Sequence, residues 1–408
     1  MSVAGKHSWA FTSRFRRNAY GWRGSSLAVS RLKEAVSEIK KAARKDPVLG
    51  AEGAVLFLCK VSPALEHVDS SSGSLGNAVN KAIVALVPII AKAPADDKLR
   101  DRWMEKLWDA VQDDEIPYIE LLPEYWGELC VTQKCASRWA DEFIGTVRIV
   151  FSPDSGPGAY FKGTTVCFSA LYKAGRYEEI MALLKIPKKT FWHNRRWGVK
   201  ALVALGRKAE ALEYTEQSRD AYTSPVSIAR TCEEILLSCG MAEEAYERYA
   251  VDANQKTTYL ATFRAIAKKY PQKTPEEILK DLVESTPGDE GKWFAAARSA
   301  GLYDAAIELA NRSPCDPRTL TRAARDHAGT EPQFALEAGM AALRWLAEGY
   351  GYDITGMDVW MAYDESMKAA RNAGCEEETH ARIKTLVSRE NFADRFVTQV
   401  LGRKLGLE

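Results

Sequence analysis

The sequence predicts an all-α fold, an α-solenoid of stacked antiparallel helix pairs. The first observation is a stretch that recurs. It reads LYKAGRYEEIMALL at 171–184, LVALGRKAEALEYT at 202–215, LLSCGMAEEAYERY at 236–249 and AARSAGLYDAAIELA at 296–310; a worn copy, AARNAGCEEETHARI, starts at Ala369. In each copy an apolar helical run meets a glycine, namely Gly175, Gly206, Gly240, Gly301 or Gly374, and a second helix begins. Glycine takes the positive φ that ends many helices without steric cost. Acids then follow the glycine, as at Glu178 and Glu179, Glu243 and Glu244, and Asp304, where a first turn favours negative charge. The second observation is spacing. Gly175, Gly206 and Gly240 lie about 31 and about 34 residues apart, the period of a two-helix repeat. Gly240 to Gly301 leaves room for one more unit, turning at YPQKTPEE (270–277), and another turns near Gly329. The third is a set of helix starts: Ser224-Pro225, Thr274-Pro275 and Asp316-Pro317 each place proline after a capping side chain.

Residues 1–33 contain no acid. They alternate Arg14, Arg16, Arg17 and Arg23 with Trp9, Phe11, Phe15, Tyr20 and Trp22. Such a pattern either stacks on bases and pairs with phosphates, or docks its rings on the first helices and leaves its arginines in water. From Ser25 the pattern is helical, with Leu27, Leu32, Val36 and Ile39 on one stripe, ending at Lys45-Asp46-Pro47. A second run, 48–61, is expected to stop at Ser62-Pro63. The Ser/Gly-rich stretch 67–77 reads as a loop with a serine cap, feeding a helix over 78–93 that kinks near Pro88. Helices are expected over 97–112, 116–131 and 133–151. Two prolines and two glycines in SPDSGPGAY (152–160) mark the expected domain boundary. The domains are then a basic aromatic arm at 1–24, an irregular helical domain at 25–151 and a repeat domain at 159–408.

Within the repeat domain, 185–200 (KIPKKTFWHNRRWGVK) has six basic residues, no acid and three large aromatic rings. Lys188, Lys189, Trp192, Arg195 and Arg196 therefore join Arg14, Arg16, Arg17, Trp22 and Arg23 as candidate partner or nucleic-acid contacts. GYGYDITGMDVW (349–360) reads as an insertion, and insertions in solenoids often map to a binding face. The last helices, from about 376 to 405, are expected to cap the stack.

Gly175-Arg176-Tyr177-Glu178-Glu179-Ile180, and partly the stretch from Gly240 to Ala245, resemble the turn of the tetratricopeptide (TPR) family. The resemblance covers roughly 159–310 and weakly the remainder. It implies a superhelical stack of helix pairs. The family's small residue inside the first helix falls here on Phe168, Val199, Glu233 and Phe294. The first 150 residues carry no such signature and look more like irregular HEAT-type pairs.

Composition bounds the function. A net charge of +1 gives no global field, so any polyanion contact must come from a local patch. Eight scattered cysteines and no apolar leader point to a reduced, cytoplasmic protein outside the membrane. Cys130 and Cys135, or Cys232 and Cys239, lack the spacing of a zinc site, and no histidine pair accompanies them. No nucleophile–base motif or nucleotide loop is present, so neither catalytic residues nor a cofactor are expected. The expected function is a non-catalytic helical-repeat scaffold that binds a protein or peptide. The alternative is nucleic-acid binding through 14–23 and 185–200.

Overall fold

Five glycines set the architecture. Gly175, Gly206, Gly240, Gly301 and Gly374 all adopt φ between 73° and 78°. At each, two backbone bonds close the preceding helix. Arg176 N–H donates to Leu171 O (3.0 Å) and Gly175 N–H to Tyr172 O (3.1 Å); the same pair recurs at 206, 240, 301 and 374. This double bond is the Schellman ending, which satisfies carbonyls the helix leaves open. The chain then reverses into the next helix, so each copy of the recurring stretch is a helix pair.

The computed structural model describes residues 7–156, 159–188, 190–391 and 394–407. Among them there is no strand. The protein is all-helical, with neighbouring helices packed in pairs as in an α-solenoid.

The packing separates into two units, Met1–Thr223 and Ser224–Glu408. The first holds α1 (Phe11–Arg14), α2 (Ser25–Ala43), α3 (Pro47–Leu65), α4 (Ser74–Lys92), α5 (Asp97–Gln112), α6 (Trp126–Cys130), α7 (Gln133–Phe151), α8 (Gly163–Ala174), α9 (Tyr177–Leu184), α10 (Trp192–Ala204) and α11 (Lys208–Glu216). Helices α2, α3 and α4 pack on one another, α4 leans on α6, and α7 packs along α8. The loop 152–160 therefore joins two helices of one unit. The division between units falls instead between Thr223 and Ser224.

The second unit holds α12 (Pro225–Ser238), α13 (Ala242–Ala253), α14 (Tyr259–Lys269), α15 (Pro275–Glu284), α16 (Phe294–Ser299), α17 (Tyr303–Arg312), α18 (Pro317–His327), α19 (Pro332–Ala347), α20 (Gly356–Ala373), α21 (Glu376–Ser388) and α22 (Phe396–Leu405). The unit expected at 270–277 is the α14–α15 pair, and Thr274 and Glu277 close a reciprocal capping box there. Asp316 caps α18 by accepting from Thr319 N–H, whereas Ser224 makes no side-chain cap. The positions at which the family resemblance expects a small side chain, Phe168, Val199, Glu233 and Phe294, are all buried.

Three helix boundaries differ from the sequence expectation. α3 continues through Pro63 to Leu65. A proline there removes one hydrogen bond, but Ala64 and Leu65 beyond it are fully buried, and that packing holds the last turn. α4 begins at Ser74, earlier than expected, and is helical through Pro88. The expected helix over 116–131 is a 3-10 turn at Leu122–Tyr125 and the short α6. α3 and α4 are each 19 residues long with mean hydropathy 1.5, enough to cross a membrane by length and composition alone. Most of α3 is buried against its neighbours, while α4 keeps one face open.

Candidate binding surfaces

The N-terminal segment docks most of its rings. Trp9, Phe11, Phe15 and Tyr20 are buried. Phe11 and Phe15 meet Phe57 of α3 edge-on at 5.5 and 5.0 Å, and the Trp9 ring lies over Gly53, where a Cβ would clash. Trp22 departs from this pattern and is 68% exposed. Arg14 pairs with Glu34, and Arg17 lies 3.8 Å from Glu66. Arg16 and Arg23 are exposed.

The second basic stretch is largely engaged inside its own unit. Arg195 donates to Gln217 O (3.2 Å) and Ser218 Oγ (3.1 Å) and covers the Tyr214 ring. Arg196 pairs with Glu124 and donates to His193 O at 3.0 Å. Trp197 is buried, Trp192 is half-buried and Lys188 is exposed. Lys189 lies outside the described residues. Of the ten sequence candidates, the exposed ones are Arg14, Arg16, Arg17, Trp22, Arg23 and Lys188, and Arg14 and Arg17 among these are ion-paired.

A different set of cations stands open. A groove of about 710 Å³ runs between α2 and α4. Val29, Leu32, Val36, Ala78, Ala82 and Ala85 line its floor, and Lys33, Lys40, Lys41, Arg44 and Lys81 its rim. No acidic side chain lines it. None of the five cations forms an ion pair with another described residue. The cause lies in how α2 distributes its charge. Its acids, Glu34 and Glu38, are engaged by the N-terminal segment and by Arg31 of α2 itself. Glu38 accepts from Ala10 N–H (2.7 Å) and Phe11 N–H (3.2 Å), and Glu34 accepts from Arg31 (2.6 Å) and Arg14. The Arg31 guanidinium, with Arg14 beside it, holds the Glu34 carboxyl below its usual range. α4 has no acid in its sequence. The lysines of α2 therefore face a helix with nothing to neutralise them.

The sequence reading used α2 only for its apolar stripe and missed this rim. The available signal was the acid-free sequence of α4 next to Lys40, Lys41 and Arg44. It becomes a site only once the structure shows which face Glu34 and Glu38 occupy.

Two further surfaces lie in the second unit. A groove between α19 and α21 is larger, about 1070 Å³, but carries both signs. Arg344 and Glu348 approach to 3.7 Å there, and Arg382 binds Glu337 with two hydrogen bonds of 2.8 and 2.9 Å. It offers no net charge for selection. The stretch 349–360 begins with exposed Tyr350 and Tyr352 and leads into α20, where Met357, Trp360 and Met361 share one exposed face. Arg318 ties this loop down through Asp358 (2.7 Å) and Asp353 O (2.7 Å). Among the described residues no group of three His, Cys, Asp or Glu side chains is placed to hold a metal ion.

No protein-family model matches this chain, and no curated protein matches it in sequence.

Proposed function

We propose that this protein is a non-catalytic helical-repeat scaffold, TPR-like in its repeat half, whose α2–α4 groove binds an acidic amphipathic helix of a protein partner. The supporting observation is the groove itself, an aliphatic floor flanked by five cations with no acid lining it. Apolar grooves between helices accept helices through anchors at helical spacing. The lined part of α2 is about 20 Å long, room for three to four turns. Acidic flanks on the incoming helix would meet Lys33, Lys40, Lys41, Arg44 and Lys81. In this reading α3 and α4 are core helices of a cytoplasmic protein, and α4's open face is the binding face.

The floor favours a helix over nucleic acid. Single-stranded nucleic acid is held by aromatic stacking as well as charge, and no aromatic side chain lines this groove. Four of the five cations are lysines, point charges without the planar fork that pairs with phosphate.

The test is fluorescence anisotropy with a labelled helical peptide bearing leucines on one face and glutamates on its flanks. Lys40→Glu together with Lys41→Glu should weaken binding at least about tenfold, roughly 1.4 kcal/mol, while leaving the melting temperature unchanged because both side chains are exposed. Binding should also weaken with salt, as rim charges are screened. Equal affinity of wild type and variant would remove the groove as the site. Tighter binding of a single-stranded RNA probe, lost in the same variant, would favour the nucleic-acid alternative.

A further inference from the structure

Cys130 closes α6 and Cys135 lies in the first turn of α7. The backbone between them makes an uncommon turn. Val131 has φ 62° and ψ −53°, and Thr132 N–H donates to Cys130 O at 2.6 Å. This is the γ-turn of the strained hand, centred on a β-branched residue that avoids positive φ. Such strain tends to gather at functional positions, and here it accompanies a second feature. The turn places the two cysteines at the adjoining ends of α6 and α7, close enough for each thiol to shift the other's ionisation.

The surroundings are cationic. Arg138 Nη2 lies 3.9 Å from Cys135 Sγ. Arg138 also binds Asp101, whose charge partly offsets it. Arg100 is buried and donates to Ile90 O, Ala93 O and Leu129 O, at 3.4, 2.9 and 3.3 Å, with no carboxylate in an ion pair. The neighbouring Cys130 thiol, with Arg138 and Arg100 nearby, draws the Cys135 thiol below its usual range. Cys130 moves the other way, through its neighbour Cys135 and its own burial. Burial alone pushes other thiols up, Cys59 to about 11 and Cys167 and Cys315 to about 12. Cys135 is half-buried and so within reach of a small oxidant, while Cys130 is sealed behind it.

We propose that Cys135 and Cys130 form a peroxide-oxidisable dithiol, with Cys135 the attacking sulfur and Cys130 the resolving one. The Cys135 thiolate attacks one peroxide oxygen. An S–O bond forms, the O–O bond breaks, and the departing hydroxide takes a proton to leave as water. The Cys130 sulfur then attacks the sulfenic acid. An S–S bond forms, the S–O bond breaks, and the hydroxyl leaves with the Cys130 proton as a second water. The two sulfurs give up two electrons in total, and hydrogen peroxide accepts both. This site is independent of the helix-binding groove.

Trypsin cuts between the two cysteines, after Lys134, which makes the test direct. The full chain is treated with one equivalent of hydrogen peroxide, alkylated and digested. The disulfide should appear as residues 107–134 linked to 135–138, and dithiothreitol should abolish the link. Cys135 should oxidise at least about tenfold faster than exposed Cys239. Cys130→Ser should stop the reaction at a sulfenic acid on Cys135, trapped by a dimedone probe. No linked pair, or oxidation of Cys135 no faster than Cys239, would overturn the proposal. Because the linked pair is read in the wild-type chain, the outcome does not depend on either variant folding.

Discussion

Replacing Glu233 by alanine should destabilise the second unit by about 3 kcal/mol, the low end of the roughly 3–5 kcal/mol expected when one partner of a buried ion pair is removed. Glu233 is fully buried in α12. Its carboxylate accepts from Tyr270 OH (2.7 Å), Asn254 Nδ2 (2.6 Å) and Lys269 Nζ (2.6 Å). Burial and the hydrogen bond to this carboxylate hold the Tyr270 phenol well above its usual range, so it stays a donor. Alanine leaves two buried donors short of a partner. Lys269 is about one-third exposed and can turn to water, which is why the low end applies. Tyr270→Phe removes one donor to a charged acceptor and should cost less, about 1.5–3 kcal/mol. Denaturant unfolding of both variants checks the order. A loss below about 1 kcal/mol for Glu233→Ala would mean that the network adds little beyond packing. Glu233 falls where the resemblance drawn from the sequence leads one to expect a small side chain. Here the place of close helix approach is taken by a polar hub joining α12, α13 and the end of α14.

A comparable loss is expected in the first unit from Trp126→Ala, about 3–5 kcal/mol for a large buried ring. Trp126 is fully buried, the largest such side chain among the described residues. It meets Trp139 edge-on at 5.1 Å and Trp108 at 6.2 Å. Next to it, Gly127 permits the approach of α8. A Cβ there would lie 2.4 Å from Ser169 O, a backbone atom that cannot swing away. Gly127→Ala should therefore cost about 1–3 kcal/mol by overpacking. Thermal melts of the two variants report both. A Trp126→Ala protein as stable as wild type would contradict the placement of α6 between α4 and α8.

The parts of the fold legible in the sequence are those decided locally. A glycine that must turn left-handed can be recognised from its own neighbourhood, and all five Schellman endings were visible that way. The boundaries that departed from expectation are those decided by packing. Pro63 breaks a helix in isolation, but Ala64 and Leu65 are held by the core. Prolines and glycines at 152–160 announce a turn, yet whether a turn separates units depends on α7 meeting α8. The binding surfaces were less legible. Charge and aromatic content marked 14–23 and 185–200, but composition cannot show that Arg196 meets Glu124 or that Phe11 meets Phe57. The rim of the α2–α4 groove was hidden for the converse reason. Glu34 and Glu38 offset half of the four positive charges of α2 in a count of residues, and only the structure shows them engaged away from the lysines. Trp22 remains outside both explanations, exposed and unabsorbed by the core.

The most direct measurement is hydrogen exchange on the full chain, with and without the acidic amphipathic peptide. Occupation of the groove should slow exchange in the stretches that line it, 29–44 of α2 and the end that follows it and 74–85 of α4, as binding to the native state suppresses local opening. Exchange in α19 and α21, which line the charge-balanced groove, should not change. The protection should disappear in the Lys40→Glu, Lys41→Glu variant. Protection confined to 14–23 and 185–200, or spread evenly over the chain, would contradict the assignment of α2 and α4 as the binding face.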